Sequence, residues 1–174
     1  MPVDAETDPE REPDPESVAR AIVLRQLTMA PRSRLQLARK LAERHVPEDV
    51  AETVLDRFAE VQLIDDAEFA RMWVRSRAQT KKLAKGALRR ELTEKGIDLE
   101  AAEEALSQLS DEDEESAARE LVQRKLRSGV DLSDRAERDR YTRRLASMLA
   151  RKGYAPSLAF RIVGEVLAEA GTLE

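Results

Sequence analysis

Between Arg71 and Lys95 the chain places nine bases against two acids, Glu91 and Glu94, for a local charge of +7. On a helix turning about 100° per residue, Lys85, Arg89 and Arg90 lie beside the apolar stripe of Leu88 and Leu92 rather than within it. Arg71 and Arg75, one turn apart on the preceding helical segment, extend this basic arc. A second set, Arg138, Arg140, Arg143, Arg144, Arg151 and Lys152, falls on a corresponding helix later in the chain and on its approach. Guanidinium and ammonium groups in such runs hold anions, either phosphate oxygens or carboxylates. Arg71, Arg75, Lys82, Lys85, Arg89, Arg90, Arg143, Arg144, Arg151 and Lys152 are therefore the candidate contact residues. The bland alternative is an exposed face whose bases pair with acids one turn away, as Arg90 would with Glu94. Within the segment itself the acids are too few to neutralise the arc.

Other chemistry finds little support. There is one histidine, His45, no cysteine, and no glycine-rich loop of the kind that cradles phosphates. No nucleophile has a base beside it, so neither catalysis nor a cofactor is expected. The acids Asp111 to Glu115 are consecutive and point in all directions around a helix, so they do not converge on a metal ion. Ser110 capping a helix, with those acids in its first turn, is the simpler account. Trp73 lies between Arg71 and Arg75, but Phe69 one turn earlier makes it a core residue rather than a base-stacking platform. With only 3% aromatic residues, base-specific readout is not expected, which leaves contact with phosphates or with an acidic protein surface.

These side chains are positioned by helices. Apolar residues recur at three and four: Leu37 and Leu41; Val50, Val54 and Phe58; Leu88 and Leu92; Leu145 and Leu149; Leu158, Ile162 and Val166. No segment alternates as a strand would. Ser33 with Gln36, Asp65 with Glu68 and Asp134 with Glu137 have capping-box spacing. Pro47 and Pro156 suit first turns, and Gly96, Gly129, Gly153 and Gly171 suit helix ends.

Superposing Leu41, Leu92 and Leu149 exposes an internal repeat with offsets of 51 and 57 residues. Leu37, Leu88 and Leu145 coincide, as do His45, Gly96 and Gly153, then Val46, Ile97 and Tyr154, and finally Val54, Ala105 and Ile162. His45 thus fills a helix-ending slot, which is its expected role. Each copy follows a further helical segment, at 17–29, 66–79 and 114–127. The fold predicted is all-α: three tandem three-helix modules at 17–64, 65–110 and 111–171, forming an elongated, curved helical array, behind a disordered acidic tail at 1–16.

The 174 residues carry a net charge of −5, distributed as −6 over 1–16, +6 over 17–97, −9 over 98–118 and +4 over 119–174. Basic blocks alternating with acidic ones allow a basic face to meet a polyanion while the whole chain stays acidic. No apolar run approaches the roughly 18 residues of a membrane span, and the acidic, proline-rich start differs from a signal peptide. A cytoplasmic monomer without disulfides is expected.

LIDDAEFARMWVRSR (63–77), KGALRRELTEKGI (85–97) and LARKGYAPSLAFRIVGEVL (149–167) together resemble the RecX family of RecA regulators, with similarity from about Ser17 to Gly171. Gln62 stands where the family commonly has Gly, and His45 replaces the first module's helix-ending Gly. The resemblance implies a non-enzymatic modulator that binds RecA recombinase and lodges along its filament on single-stranded DNA. It also implies suppression of ATP hydrolysis and strand exchange, with at most weak direct DNA binding. The ten candidate bases would then meet RecA acids or DNA phosphates. A general DNA-binding helical protein, acting through non-specific phosphate contacts, and an adaptor whose charges serve only solubility are the alternatives.

Overall fold

The computed structural model describes residues 12–126 and 131–172, and among these it contains nine helices and no strand. In order they are α1 (Pro15–Met29), α2 (Arg34–Glu43), α3 (Glu48–Glu60), α4 (Asp66–Lys81), α5 (Lys85–Glu94), α6 (Leu99–Leu106), α7 (Asp111–Lys125), α8 (Arg135–Arg151) and α9 (Pro156–Thr172). No helix among the described residues is long and apolar enough to cross a membrane. Packing runs within successive triplets: α1 and α2 against α3, α4 and α5 against α6, and α7 and α8 against α9.

Each triplet buries its own apolar stripe. Val23, Leu37, Leu41, Val54, Leu55 and Phe58 close the first core. Phe69, Val74, Leu88, Leu92, Ala105 and Leu106 form the second, and Val122, Leu145, Leu149, Ile162, Val163 and Val166 form the third. The chain divides into two compact units, one ending at Asp65 and one beginning at Asp66. The first holds one core and the second holds two.

The internal repeat is reproduced in hydrogen bonds. The N–H groups of Val46, Ile97 and Tyr154 donate to the carbonyls of Leu41, Leu92 and Leu149 at 3.1, 3.0 and 3.1 Å. Just before them, His45, Gly96 and Gly153 donate to Ala42, Thr93 and Ala150 at 2.9, 3.0 and 3.0 Å. This pair of bonds satisfies the last carbonyls of α2, α5 and α8, and it requires a left-handed residue between them. His45, Gly96 and Gly153 accordingly have φ of 59°, 75° and 92°. Gln62, the other departure from the family pattern, is also left-handed at φ 59°, which explains why glycine suits that position.

The helix starts mostly follow the expected caps. Ser33, fully buried, accepts from the Gln36 N–H while the Gln36 side chain accepts from the Ser33 N–H. Ser110 and Asp113 form the same reciprocal pair at the start of α7, and Pro156 opens α9.

Several expectations need correction. The acidic tail cannot extend to residue 16, because Pro15 and Glu16 already belong to α1. Asp14 caps that helix by accepting from the Ser17 N–H, and Glu16 pairs with Arg57 at 2.7 Å. Residues 1–11 lie outside the described residues, as do Arg127 and Gly129. Pro47 is the cap residue before α3 rather than part of its first turn. Asp134 accepts from the Ala136 N–H, and Glu137 pairs with Arg140, so the expected reciprocal box at α8 is replaced by a simpler cap. Gly171 lies inside the last turn of α9 instead of ending it.

Inside the second unit the two triplets interlock at their turns. The Ala84 N–H donates to the Lys152 carbonyl at 2.9 Å, and the Tyr154 hydroxyl donates to the Lys82 carbonyl at 2.8 Å. Ala84, cap residue of α5, is buried with the third core rather than the second. Gly86 and Gly153 meet with no room for a side chain between them. One joint therefore completes a helix start on one side and a helix end on the other.

Candidate recognition surface

The second triplet carries most of the expected bases, and the structure partners many of them. Arg89 bonds Glu103 through Nε at 2.5 Å, and Arg71 reaches Glu68 at 2.9 Å and Glu104 at 3.1 Å. Lys82 lies 3.0 Å from Glu120, and Lys85 lies 3.7 Å from Asp111. Hydrogen bonding from Arg89 holds the Glu103 carboxyl below the usual carboxylate range, and bonding from Lys82 does the same to Glu120. The expectation that acids are too few to neutralise the arc therefore fails. Glu68 lies one turn from Arg71 on the same helix, but Glu103 and Glu104 on α6 and Asp111 on α7 belong to the segment counted apart as an acidic block, Glu120 follows that block on α7, and tertiary packing brings these four onto the basic helices.

Arg75 and Arg90 have no ion-pair partner among the described residues, and both project from the helices that carry the paired bases. Arg75 lines a cleft of about 420 Å³ between the two triplets, together with Gln108, Glu114 and Glu120. The pairing of Arg90 with Glu94 is not formed.

Trp73 is half-buried and not a plain core residue. Its ring stacks on Phe69 at 5.8 Å between centroids, with 17° between the planes. Its indole N–H donates to Glu91 at 2.7 Å, and the same carboxylate accepts from Arg77 at 3.0 and 3.1 Å. Arg77 and Lys95 also sit over the ring, at 4.8 and 4.1 Å from its centroid. Burial raises the Glu91 pKa, but hydrogen bonds from Arg77 and Trp73 outweigh it and hold the group below the usual range. Stacked on Phe69, approached by two cations and hydrogen-bonded to Glu91, the indole fixes α4 to α5, and Arg77 and Lys95 serve that anchor.

In the third triplet the charges are less encumbered. Arg143, Arg144 and Arg151 are exposed on α8, with no ion-pair partner among the described residues. Lys152 departs from them: its Nζ donates to the Lys81 carbonyl at 2.8 Å, which ties it into the joint. Lys82 is bound into the same joint through its own carbonyl and its ion pair, and its backbone is left-handed at φ 53°. Arg119 on α7 binds Glu165 and Glu169 on α9, and Arg161 on α9 binds Glu115 on α7 as well as Glu165 on its own helix.

The ten expected contact residues therefore separate into three classes. Arg71, Lys85 and Arg89 are in ion pairs, Lys82 and Lys152 are built into the joint, and Arg75, Arg90, Arg143, Arg144 and Arg151 remain available. Sequence reasoning passed over Gly86 and Tyr154 as the pieces of the joint. The signal was present in Lys-Gly-Ala and Lys-Gly-Tyr, each a glycine beside a residue that proves buried.

Comparison with known proteins agrees with this architecture. The family model for the first three-helix domain of RecX matches residues 19–58, and the model for the second three-helix domain matches residues 65–106. The chain is 51% identical over 158 residues to the regulatory protein RecX of Streptomyces coelicolor, an alignment covering 91% of this chain and 82% of that protein. Identity with the regulatory protein RecX of Thermobifida fusca is 46%, over 88% of this chain and 80% of the other. The crystal structure of RecX from Lactobacillus salivarius shares the fold at a TM-score of 0.74 and 22% identity, over 88% of this chain and 97% of that one. A second crystal structure, of regulatory protein RecX, superposes with a TM-score of 0.75 at 26% identity, over 86% and 73% of the two chains. Two matched domain models and half-identical relatives across nine-tenths of its length place this chain in the RecX family of regulatory proteins.

Proposed function

We propose that this chain regulates RecA recombinase by binding it and its filament on single-stranded DNA, lowering ATP hydrolysis and strand exchange. Membership in the RecX family over nearly the whole chain carries this reading. The division of the bases refines it: the paired Arg71, Lys82, Lys85 and Arg89 shape the helices, while Arg75, Arg90, Arg143, Arg144 and Arg151 face the partner. A regulator of this kind needs no bound cofactor. It has only to bind the filament more tightly than free subunits, holding neighbouring subunits in one arrangement or blocking access to duplex DNA.

The test is a titration of this protein into RecA hydrolysing ATP on single-stranded DNA, alongside binding to naked duplex, naked single strands and RecA-coated single strands across salt. A falling hydrolysis rate and a preference for the coated strand are expected. An unchanged rate at saturating protein, or equal binding to all three with a steep salt dependence, overturns the reading in favour of non-specific phosphate contact.

A further inference from the structure

On α8, residues 141, 144, 148 and 151 recur at three, four and three, so they share one face of the helix. At about 1.5 Å per residue that face runs roughly 15 Å along the axis. Tyr141, Arg144, Met148 and Arg151 occupy it, and Lys125 from the last turn of α7 closes one side. Together with Leu145 they line a cavity of about 240 Å³.

Three cations thus surround a small cavity that no carboxylate lines among the described residues. This contrasts with the second triplet, where Arg71, Arg77, Lys82, Lys85 and Arg89 each meet an acid of the same unit. Gathering like charges without an internal counter-ion is unfavourable unless an anion from outside joins them. Guanidinium forks match phosphate oxygens in two-pronged geometry, while the aromatic and thioether side chains of Tyr141 and Met148 offer an apolar floor beside them. A lone anion would use only part of a 15 Å stripe (about ten residues at 1.5 Å each). A chain with phosphates at intervals and flat apolar groups between them fits its length and its mixed character.

We propose that this cavity seats the backbone of single-stranded nucleic acid. Arg144, Arg151 and Lys125 hold phosphodiester oxygens, and Tyr141 and Met148 pack against the adjoining sugar or base. The inference rests on the reading above for its setting at a strand coated with RecA, but the contact itself needs only the strand.

The probe is a fluorescently labelled thymidine 30-mer, free of RecA, titrated with the full-length protein by anisotropy at several salt concentrations. Arg144→Glu/Arg151→Glu is expected to weaken binding at least tenfold and to lower the slope of log affinity against log salt by about 1.4, two contacts at about 0.7 each. Lys125→Glu gives a smaller loss in the same direction, and Arg20→Glu, on α1 and outside the cavity, changes binding less than twofold. Circular dichroism verifies the fold of each variant, and Lys125→Glu keeps the test open should the double variant not fold. Unchanged binding by the folded double variant overturns the proposal. Two further results also overturn it: full competition by millimolar inorganic phosphate identifies a simple anion site, and tighter binding of polyglutamate lost in the same variants identifies an acidic protein surface. Failure of the wild type to slow RecA hydrolysis bears only on the regulatory reading, because the oligonucleotide assay contains no RecA.

Discussion

Gly86 lies directly against the carbonyl of Gly153: a Cβ placed on Gly86 would stand 2.5 Å from that oxygen, and one placed on Gly153 would stand 2.7 Å from the Ala87 Cβ. Two backbones from different triplets thus approach too closely to admit a side chain between them. The contact is flanked by the Ala84 bond to Lys152 and by the Tyr154 bond to Lys82, so it lies at the centre of the joint rather than at its edge.

Replacing Gly153 by Ala meets two penalties, a left-handed φ of 92° and the collision with Ala87. The expected loss is about 2–4 kcal/mol in the second unit, the sum of left-handed strain and overpacking. Urea unfolding followed by Trp73 fluorescence measures it; a midpoint equal to wild type would show that the joint relaxes freely. Tyr154→Phe probes the same place more gently. It leaves the Lys82 carbonyl without its donor and costs about 1 kcal/mol.

His45 offers the opposite change. It holds a φ of 59° in the slot where the other two copies have glycine. His45→Gly removes that strain but adds freedom to the unfolded chain, so the first unit gains about 0.5–1 kcal/mol. Thermal unfolding of the variant should shift upward, and a downward shift would mean the imidazole contributes more than its backbone costs.

Glu91 gives a pH dependence with a defined sign. Its folded-state pKa lies below the ordinary value of 4.5, with burial opposing and the Arg77 and Trp73 hydrogen bonds prevailing. The folded protein therefore binds fewer protons here than the unfolded chain does. The resulting stability is complete above about pH 4.5 and is lost as pH falls through the lower folded value. Glu91→Gln keeps the shape and removes the charge, so the drop in stability between pH 7 and pH 3 is smaller in the variant than in wild type. Trp73 is the only tryptophan, and its emission reports the loss of this cluster directly.

Neighbouring bases on α5 should behave differently on charge reversal. Arg89→Glu faces the Glu103 carboxylate with a like charge and costs about 0.5–1 kcal/mol, the range of a half-exposed pair. Arg90→Glu, which has no ion-pair partner among the described residues, leaves stability within about 0.5 kcal/mol and instead weakens RecA inhibition. Equal effects of the two variants on stability would contradict the separation of scaffold bases from available ones.

Comparison of these residues shows what the sequence makes legible. Leu41, Leu92 and Leu149, with the left-handed residue four positions later, are local signals, and all three copies form the same terminal hydrogen bonds. Apolar periodicity likewise identifies the buried faces of nearly every helix. The fate of the bases is not local. Glu104 lies 33 residues from Arg71, and Glu103 lies 14 from Arg89, so counting charges along a segment misses the acids that packing delivers. Trp73 shows the same gap, since its spacing from Phe69 reveals the stack but not Glu91 beneath the indole N–H. The joint escaped for a further reason: Gly153 reads as a helix end, and nothing in a one-dimensional pattern indicates that a second backbone rests on it.

Ala84 also has a consequence for synthesis on the ribosome. When the first 110 residues have emerged, α5 has its sequence but not the acceptor for the N–H that begins it, since Lys152 is still to be made. The second triplet must wait some forty residues, with the Ala84 N–H and the Lys82 carbonyl open to water, before Lys152 arrives to close the first and Tyr154 the second. The last triplet to be translated thus supplies the final hydrogen bonds of the one before it.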